Sequence, residues 1–199
     1  VNLIYKKEGM IIGANTDGIG AVNSISENLN LSNKKTFLKK RALIIGSGGT
    51  AKSCAIYLSK NLGPEGKLFL TCRNKSKGLD LLSKCSRYTN TSMILIRDLN
   101  SIANKIDYLV NCTVIGFKNI FSENNNNYYY EPFIPLKKVT LKTLKKENLN
   151  DKRTWIRNNL EILTRNWSSA IETLSLFKQG IFILDVIYQP KETMLLKAA

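Results

Sequence analysis

The chemistry open to this chain is bounded first by what it lacks, for none of its 199 residues is a histidine. A Ser–His triad, an imidazole metal ligand and a histidine general acid are therefore out of reach of these residues. What stands out instead is a glycine cluster, Gly46-Ser47-Gly48-Gly49-Thr50-Ala51, directly after the apolar run Ala42-Leu43-Ile44-Ile45. Such a run, bounded by breakers, reads as a buried parallel strand. Gly46 and Gly48 permit a tight turn and let backbone N–H groups approach a pyrophosphate. The small residues that follow let a helix pack tightly on the strand with its amino terminus aimed at negative charge. Ala51 stands where the common G-x-G-x-x-G pattern has its third glycine, and a plain tight turn is the alternative reading.

Three other clusters carry groups suited to chemistry. Asp17 closes Asn15-Thr16-Asp17 just before a helix, where its carboxylate either faces a cleft or caps that helix; the residues alone weigh the two equally. Cys72-Arg73-Asn74 follows the second strand of the nucleotide half, where an adenosine ribose lies and an acid would chelate the 2′-hydroxyl of NAD. No acid is present there, whereas Arg73, Lys75 and Lys77 are cationic and favour the 2′-phosphate of NADP. A solvated arginine at a helix start is the alternative. In the loop after the fourth strand, Thr113 and Gly116 are on the ligand side of such a sheet and allow close approach to the nicotinamide half of a cofactor.

The elements that must position these groups alternate regularly. Two short extended pieces flank Lys6-Lys7-Glu8-Gly9, and a helix is expected over 18–31, with Ile19, Val22, Ile25 and Leu29 at helical spacing. Strand 42–45 leads to helix 50–62, which stops at Gly63-Pro64. Strand 67–72 leads to helix 76–86, strand 92–96 to a short helix near 98–104, and strand 107–111 to a loop. A last helical region over 153–178 presents Trp155, Leu160, Leu163, Trp167 and Ile171 as a core-facing stripe, and Ile181 to Val186 forms a final strand. Alternating β and α units of this length predict an α/β fold, a Rossmann-like doubly wound parallel sheet with right-handed crossovers. Residues 118–150 interrupt the pattern with Asn124–Asn127, Tyr128–Tyr130 and a Lys-rich stretch, and are expected to be a mobile low-complexity insertion.

The net charge of +15 raises nucleic-acid binding as a hypothesis. Its two lysine-rich runs, Lys34 to Arg41 and Lys137 to Arg153, do not interleave aromatics as a base-stacking surface requires, so they are read as solvated faces without specific affinity for nucleic acid. Four cysteines, Cys54, Cys72, Cys85 and Cys112, show no C-x-x-C pairing. They are expected to be structural thiols in a reducing, cytoplasmic compartment, with no metal site. No apolar run approaches the ~20 residues a bilayer span requires. Opening on Val1-Asn2-Leu3, with no Met and no signal peptide, the chain is expected to be a piece of a longer one.

Taken in order, Asn15-Thr16-Asp17-Gly18, the glycine loop, Cys72-Arg73-Asn74, Asn111-Cys112-Thr113-Val114-Ile115-Gly116 and Asp185-Val186-Ile187-Tyr188-Gln189-Pro190-Lys191-Glu192-Thr193 resemble the shikimate dehydrogenase family. The family patterns are N-T-D-G, G-x-G-G, N-R-T, N-x-T-x-x-G and D-x-x-Y-x-P-x-x-T. Here Cys72 and Asn74 depart from N-R-T, and Leu3 departs from the V-N-T pattern that would include Asn2. The resemblance implies NADP-dependent, reversible hydride transfer between NADPH and 3-dehydroshikimate, giving shikimate for the chorismate pathway to aromatic amino acids. It also implies that Asp17 is a catalytic residue that binds a substrate hydroxyl and works beside a catalytic lysine, that Asn2 and Tyr188 contact substrate, and that Val186 contacts the nicotinamide region. In the family that lysine and the carboxylate-binding serines lie upstream of the position of Asn2, and a substrate-binding glutamine lies beyond that of Ala199.

By the same resemblance, residues 1–17 end a substrate domain, 18–40 form an interdomain helix and linker, and 41–199 form the dinucleotide-binding domain. An insertion at this position occurs in the shikimate dehydrogenase part of the pentafunctional AROM polypeptide, so a larger multidomain parent is one expectation. Three alternatives stay open: a quinate/shikimate dehydrogenase using NAD, a non-catalytic dinucleotide-sensing module, and a basic nucleic-acid-binding domain, which the motif order opposes.

Overall fold

The structure is a computed structural model that describes residues 1–28, 37–116, 132–134 and 152–199, excepting the side chains of 28, 152–156 and 158. Nearly all of the expected insertion, including Asn124–Tyr130 and Lys137–Lys146, lies outside the described residues, as do Leu29, Lys34 and Lys35. The described residues form two compact units. One comprises Val1–Leu95, Lys105–Thr113 and Lys178–Val186; the other comprises Ile96–Asn104, Val114–Phe177 and Ile187–Ala199.

The first unit opens with the antiparallel hairpin of β1 (Leu3–Lys7) and β2 (Met10–Ala14), in which Lys7 pairs with Met10. Glu8 and Gly9 make the turn with φ of 50° and 80°. Helix α1 (Asp17–Asn28) follows, and then the alternating core: β3 (Arg41–Ile45), α2 (Gly49–Leu62), β4 (Lys67–Thr71), α3 (Lys75–Cys85), β5 (Asn90–Met93), β6 (Tyr108–Asn111) and β7 (Phe182–Asp185). The last five strands form one parallel sheet in the order β5-β4-β3-β6-β7. The chain winds outward from β3 to β5, then restarts on the other side of β3 with β6. This is a Rossmann-like, doubly wound order, and the reversal between β3 and β6 opens a crevice at the carboxyl ends of those strands.

Strands covered on both faces read as continuous apolar runs. Ala42, Ile44, Leu68, Leu70 and Val110 face a cluster that includes Ala21 and Ile25 of α1, Cys54, Ala55 and Leu58 of α2, and Leu81 of α3. Leu43, Ile45, Phe69 and Leu109, which alternate with them, are buried too. In α1 the buried positions are Gly18, Ala21 and Ile25, whereas Ile19 is 43% exposed although its spacing fitted the stripe. Strand β5 begins two residues earlier than the apolar content suggested. Its place is set by pairing of Lys67 with Asn90 and Leu70 with Met93, not by the hydrophobicity of Ile94 to Ile96.

The second unit contains α4 (Lys152–Ser175) and the short α5 (Met194–Ala198), which Thr193 caps by accepting the Leu196 amide at 3.4 Å. Phe133 and Phe177 meet edge to face, with centroids 6.4 Å apart. In α4 the expected stripe is corrected: Leu163 is buried and Trp167 half-buried, but Leu160 and Ile171 are exposed, and the side chain of Trp155 lies outside the described residues. The buried positions among the described side chains are Asn159, Leu163, Asn166, Ser169, Ala170 and Thr173. Apolar periodicity missed this face because it is made of small and amide side chains, which can be buried when hydrogen-bonded, as Thr173 is to the Ser169 carbonyl at 2.7 Å.

At the amino-terminal edge of the sheet, Asp107 fastens three strands. Its carboxylate accepts the Arg41 amide at 2.8 Å and the Lys178 ammonium at 2.6 Å, while the Phe182 amide donates to its carbonyl at 3.0 Å. Burial alone would raise its pKa, but the bonds from Lys178 and Arg41 outweigh burial and hold the carboxyl below its ordinary value. A depressed folded-state pKa stabilises the fold above the unfolded carboxyl pKa, and that contribution is lost as pH falls through the folded value. Asp107→Asn should therefore destabilise the chain at pH 7 by about 1–2 kcal/mol, the low end for charged hydrogen bonds because the lysine heads are partly solvated. The difference in urea-unfolding free energy between the two chains should shrink below about pH 4.

Candidate cofactor and substrate site

The crevice begins with Gly46, the first residue after β3, whose amide donates to the Thr71 carbonyl at 2.9 Å. Its φ of 116° and a Cβ that would lie 2.9 Å from the Cys112 carbonyl oxygen exclude any side chain there. The loops after β3 and β6 are thus in backbone contact where the strand order reverses. Beyond Gly46, Ser47 is half-buried, and Gly48 and Gly49 are exposed with no atom within 4 Å of a notional Cβ. Helix α2 starts there with Gly48 as its cap residue and no side-chain capping bond, leaving the first-turn amides through Thr50 and the buried Ala51 without a side-chain acceptor.

At the end of β4, the Cys72 thiol donates to the Asn74 carbonyl at 3.2 Å, and Asn74 Oδ1 accepts the Lys77 amide at 2.9 Å, capping α3. The Asn74 side chain is thus engaged in its own helix. Arg73 and Lys77 are exposed and pair with no carboxylate among the described residues. At the end of β6, buried Asn111 donates through Nδ2 to Asp185 Oδ1 on β7 at 3.1 Å. Its Oδ1 accepts both the amide (3.1 Å) and the hydroxyl (2.7 Å) of Thr113. Asn111 and Asp185 are register partners, and the Val186 amide donates to the Asn111 carbonyl at 3.1 Å. This cross-strand lock holds Thr113 and Val186, and the one-residue-at-a-time reading assigned it no role. Cys112 lies against Cys54; the hydrogen bond between the thiols and burial of its sulfur raise its pKa well above the ordinary value, which keeps it a protonated, structural thiol.

Asp17 is the first residue of α1, and its carboxylate accepts a hydrogen bond from Asn2 Nδ2. Asn2 Oδ1 in turn accepts the Thr16 amide at 2.9 Å, and its own amide donates to the Ala14 carbonyl at 3.0 Å. Two residues 15 apart in sequence, singled out separately, are therefore brought together. Asp17 does not cap the helix: Asn15 Oδ1 takes the Asp17 amide at 3.1 Å, and Ser53 Oγ of α2 takes the Gly18 amide at 3.0 Å. The glycine after Asp17 has a steric cause, since a Cβ there would lie 2.5 Å from the Ser53 carbonyl oxygen and 2.5 Å from the Tyr57 ring. In the second unit, Gly116 is buried with φ 101°, and Tyr188 is 77% exposed. A polar depression of about 370 Å³ lined by Pro64, Arg87, Tyr88 and Thr89 lies at the opposite, amino-terminal end of β5 and is no part of this crevice.

A parallel sheet in this order, with a glycine turn at its switch point, defines a Rossmann-like α/β unit. No family model matches the chain. Among curated proteins it is 26% identical over 204 residues to shikimate dehydrogenase (NADP(+)) of Methanococcus vannielii, covering 100% of this chain and 53% of that protein. It is 35% identical over 121 residues to the enzyme of the same name from Methanosphaera stadtmanae, covering 58% and 39%. In fold it matches the crystal structure of shikimate 5-dehydrogenase from Listeria monocytogenes in complex with shikimate and NAD, with a TM-score of 0.58 at 16% identity over 98% of this chain and 53% of that one. In sequence the chain is thus similar to shikimate dehydrogenases, over its whole length at 26% identity and over 58% of it at 35%. It spans about half the length of the curated relatives it matches.

The packing at Gly18 yields a paired prediction. Gly18→Ala should destabilise the chain by about 1–3 kcal/mol, because the α2 backbone would have to move. Gly20→Ala, in the same helix with nothing within 4 Å of its notional Cβ, should stabilise by roughly 0.5–1 kcal/mol. Urea midpoints of the two variants moving in opposite directions would verify the contact; a shared direction would refute it.

Proposed function

We propose that this chain supplies the NADP-binding part and one wall of the substrate site of a shikimate dehydrogenase, the enzyme that interconverts 3-dehydroshikimate and shikimate. The observation that carries the reading is the uncapped, sterically open first turn of α2 at the switch point of the sheet. The amides from Gly48 to Ala51 would receive the pyrophosphate, with Gly46 making the turn and Ser47 and Thr50 flanking it. Arg73, together with Lys77, would take the 2′-phosphate beside Cys72 and Asn74, and the absence of an acid there disfavours NAD. Thr113 and Val186, held by the Asn111–Asp185 lock, would border the nicotinamide half. Gly116 and Tyr188 join this set on their motif positions alone.

The bound cofactor supplies the hydride chemistry. The chain's own part is orientation: Asp17, its carboxylate held by Asn2, accepts a hydrogen bond from a substrate hydroxyl and so fixes the reacting carbon. The names of the relatives, shikimate dehydrogenase (NADP(+)), support both substrate and cofactor. Four free thiols suit the reducing conditions of the cytoplasm.

Calorimetry on the chain should find NADP⁺ bound more tightly than NAD⁺. Arg73→Ala should weaken NADP⁺ by roughly 1.5–3 kcal/mol, as expected for loss of a charged hydrogen bond, with little effect on NAD⁺. Equal affinities in the unmodified chain would contradict the NADP assignment and favour the quinate/shikimate dehydrogenase alternative that uses NAD.

A further inference from the structure

The peptide that carries Asp17 is fastened to the helix that follows the glycine loop. Ser53 Oγ accepts the Gly18 amide at 3.0 Å, and the Cys54 thiol donates to the Asp17 carbonyl at 3.8 Å. The missing side chain of Gly18 lets the two backbones meet without a spacer, since a Cβ would lie 2.5 Å from the Ser53 carbonyl oxygen. Ser53 is four residues beyond Gly49, the first residue of α2, so regular helix geometry hydrogen-bonds its amide to the Gly49 carbonyl. One helical turn therefore separates the open amides of α2 from the peptide bond between Asp17 and Gly18. On its other side Asp17 is held by Asn2, so its carboxylate has little freedom of its own.

We propose that Ser53 is a positioning residue that transmits occupancy of the first turn of α2 to the Asp17–Gly18 peptide, so that bound cofactor sets the orientation of the Asp17 carboxylate. This rests on the NADP site proposed above. An anion drawing the first-turn amides toward itself displaces a stiff turn, and the Ser53 hydroxyl carries that displacement into α1 through one hydrogen bond. The coupling is reciprocal by thermodynamic necessity: a ligand that engages Asp17 must change the affinity for cofactor by the same factor.

The test is an amide-resolved NMR titration of the 199-residue chain with NADP⁺, repeated on Ser53→Ala and Ser53→Thr. In the unmodified chain the Asp17 and Gly18 amide signals should shift with the same saturation curve as those of Gly48 and Gly49. In Ser53→Ala their cofactor-induced shifts should fall by about half or more while the dissociation constant stays within about twofold, and Ser53→Thr, which keeps the hydroxyl, should restore them. A merely structural cap would alter these signals equally with and without NADP⁺. If NADP⁺ binds and the Asp17 and Gly18 signals do not respond, or respond equally in Ser53→Ala, the coupling is overturned and the cofactor site stands. Failure of the unmodified chain to bind NADP⁺ would overturn both. If Ser53→Ala does not fold, a silent Asp17 and Gly18 in the unmodified chain still overturns the coupling, and Ser53→Cys, which replaces the hydroxyl with a weaker hydrogen-bonding thiol of similar size, takes the place of Ser53→Ala.

Discussion

The backbone of Gly46 lies so close to the Cys112 carbonyl that no side chain fits between them. This contact joins the ends of β3 and β6 where the order of the sheet reverses, and the rest of the candidate site depends on it. Gly46 turns sharply there, and α2 begins three residues later with Gly48 and Gly49 exposed and its first turn without a side-chain cap. Because Cys112 is held against that turn, the following Thr113 falls on the same edge, where Asn111 and Asp185 lock it in place. A larger residue at position 46 would separate the two loops and misplace both.

A second close approach extends the site from the sheet to the amino-terminal hairpin. Gly18 brings the start of α1 against α2, and the amide of Asn2 then meets the Asp17 carboxylate. The hairpin, α1 and α2 belong to one compact unit, so Asp17 is built on the same frame as the glycine loop. Proximity of this kind is what orientation of a bound substrate relative to a cofactor requires. The N-T-D-G segment is hydrogen-bonded through Gly18 to Ser53 of the helix that follows the G-x-G-G segment.

The alternation of strands and helices was legible in the sequence because β3, β4 and β6 are short apolar runs, β3 closed by Gly46 and β6 by Asn111, and α2 stops at Gly63-Pro64. The glycine loop, Asp17 and Arg73 stood out as candidates because each sits at the end of an element. The pairs that hold them were not. Asn111 and Asp185 are 74 residues apart, and Ser53 and Gly18 are 35 apart, so their contacts exist only once strand order and helix packing are known. The buried face of α4 was missed for a different reason, since Asn159, Asn166 and Thr173 carry no hydrophobic signal. Edge strand β5 was displaced because hydrogen-bond register with β4, not apolar content, sets its ends.

The central claim is that the turn at Gly46 and the start of α2 form a cradle for the pyrophosphate of NADP. A crystal structure of the chain grown with NADP⁺ tests it most directly. The account predicts pyrophosphate oxygens within hydrogen-bonding distance of the amides between Gly48 and Ala51, with the 2′-phosphate against Arg73. A dinucleotide bound elsewhere on the chain, or with its phosphates turned away from α2, would contradict it.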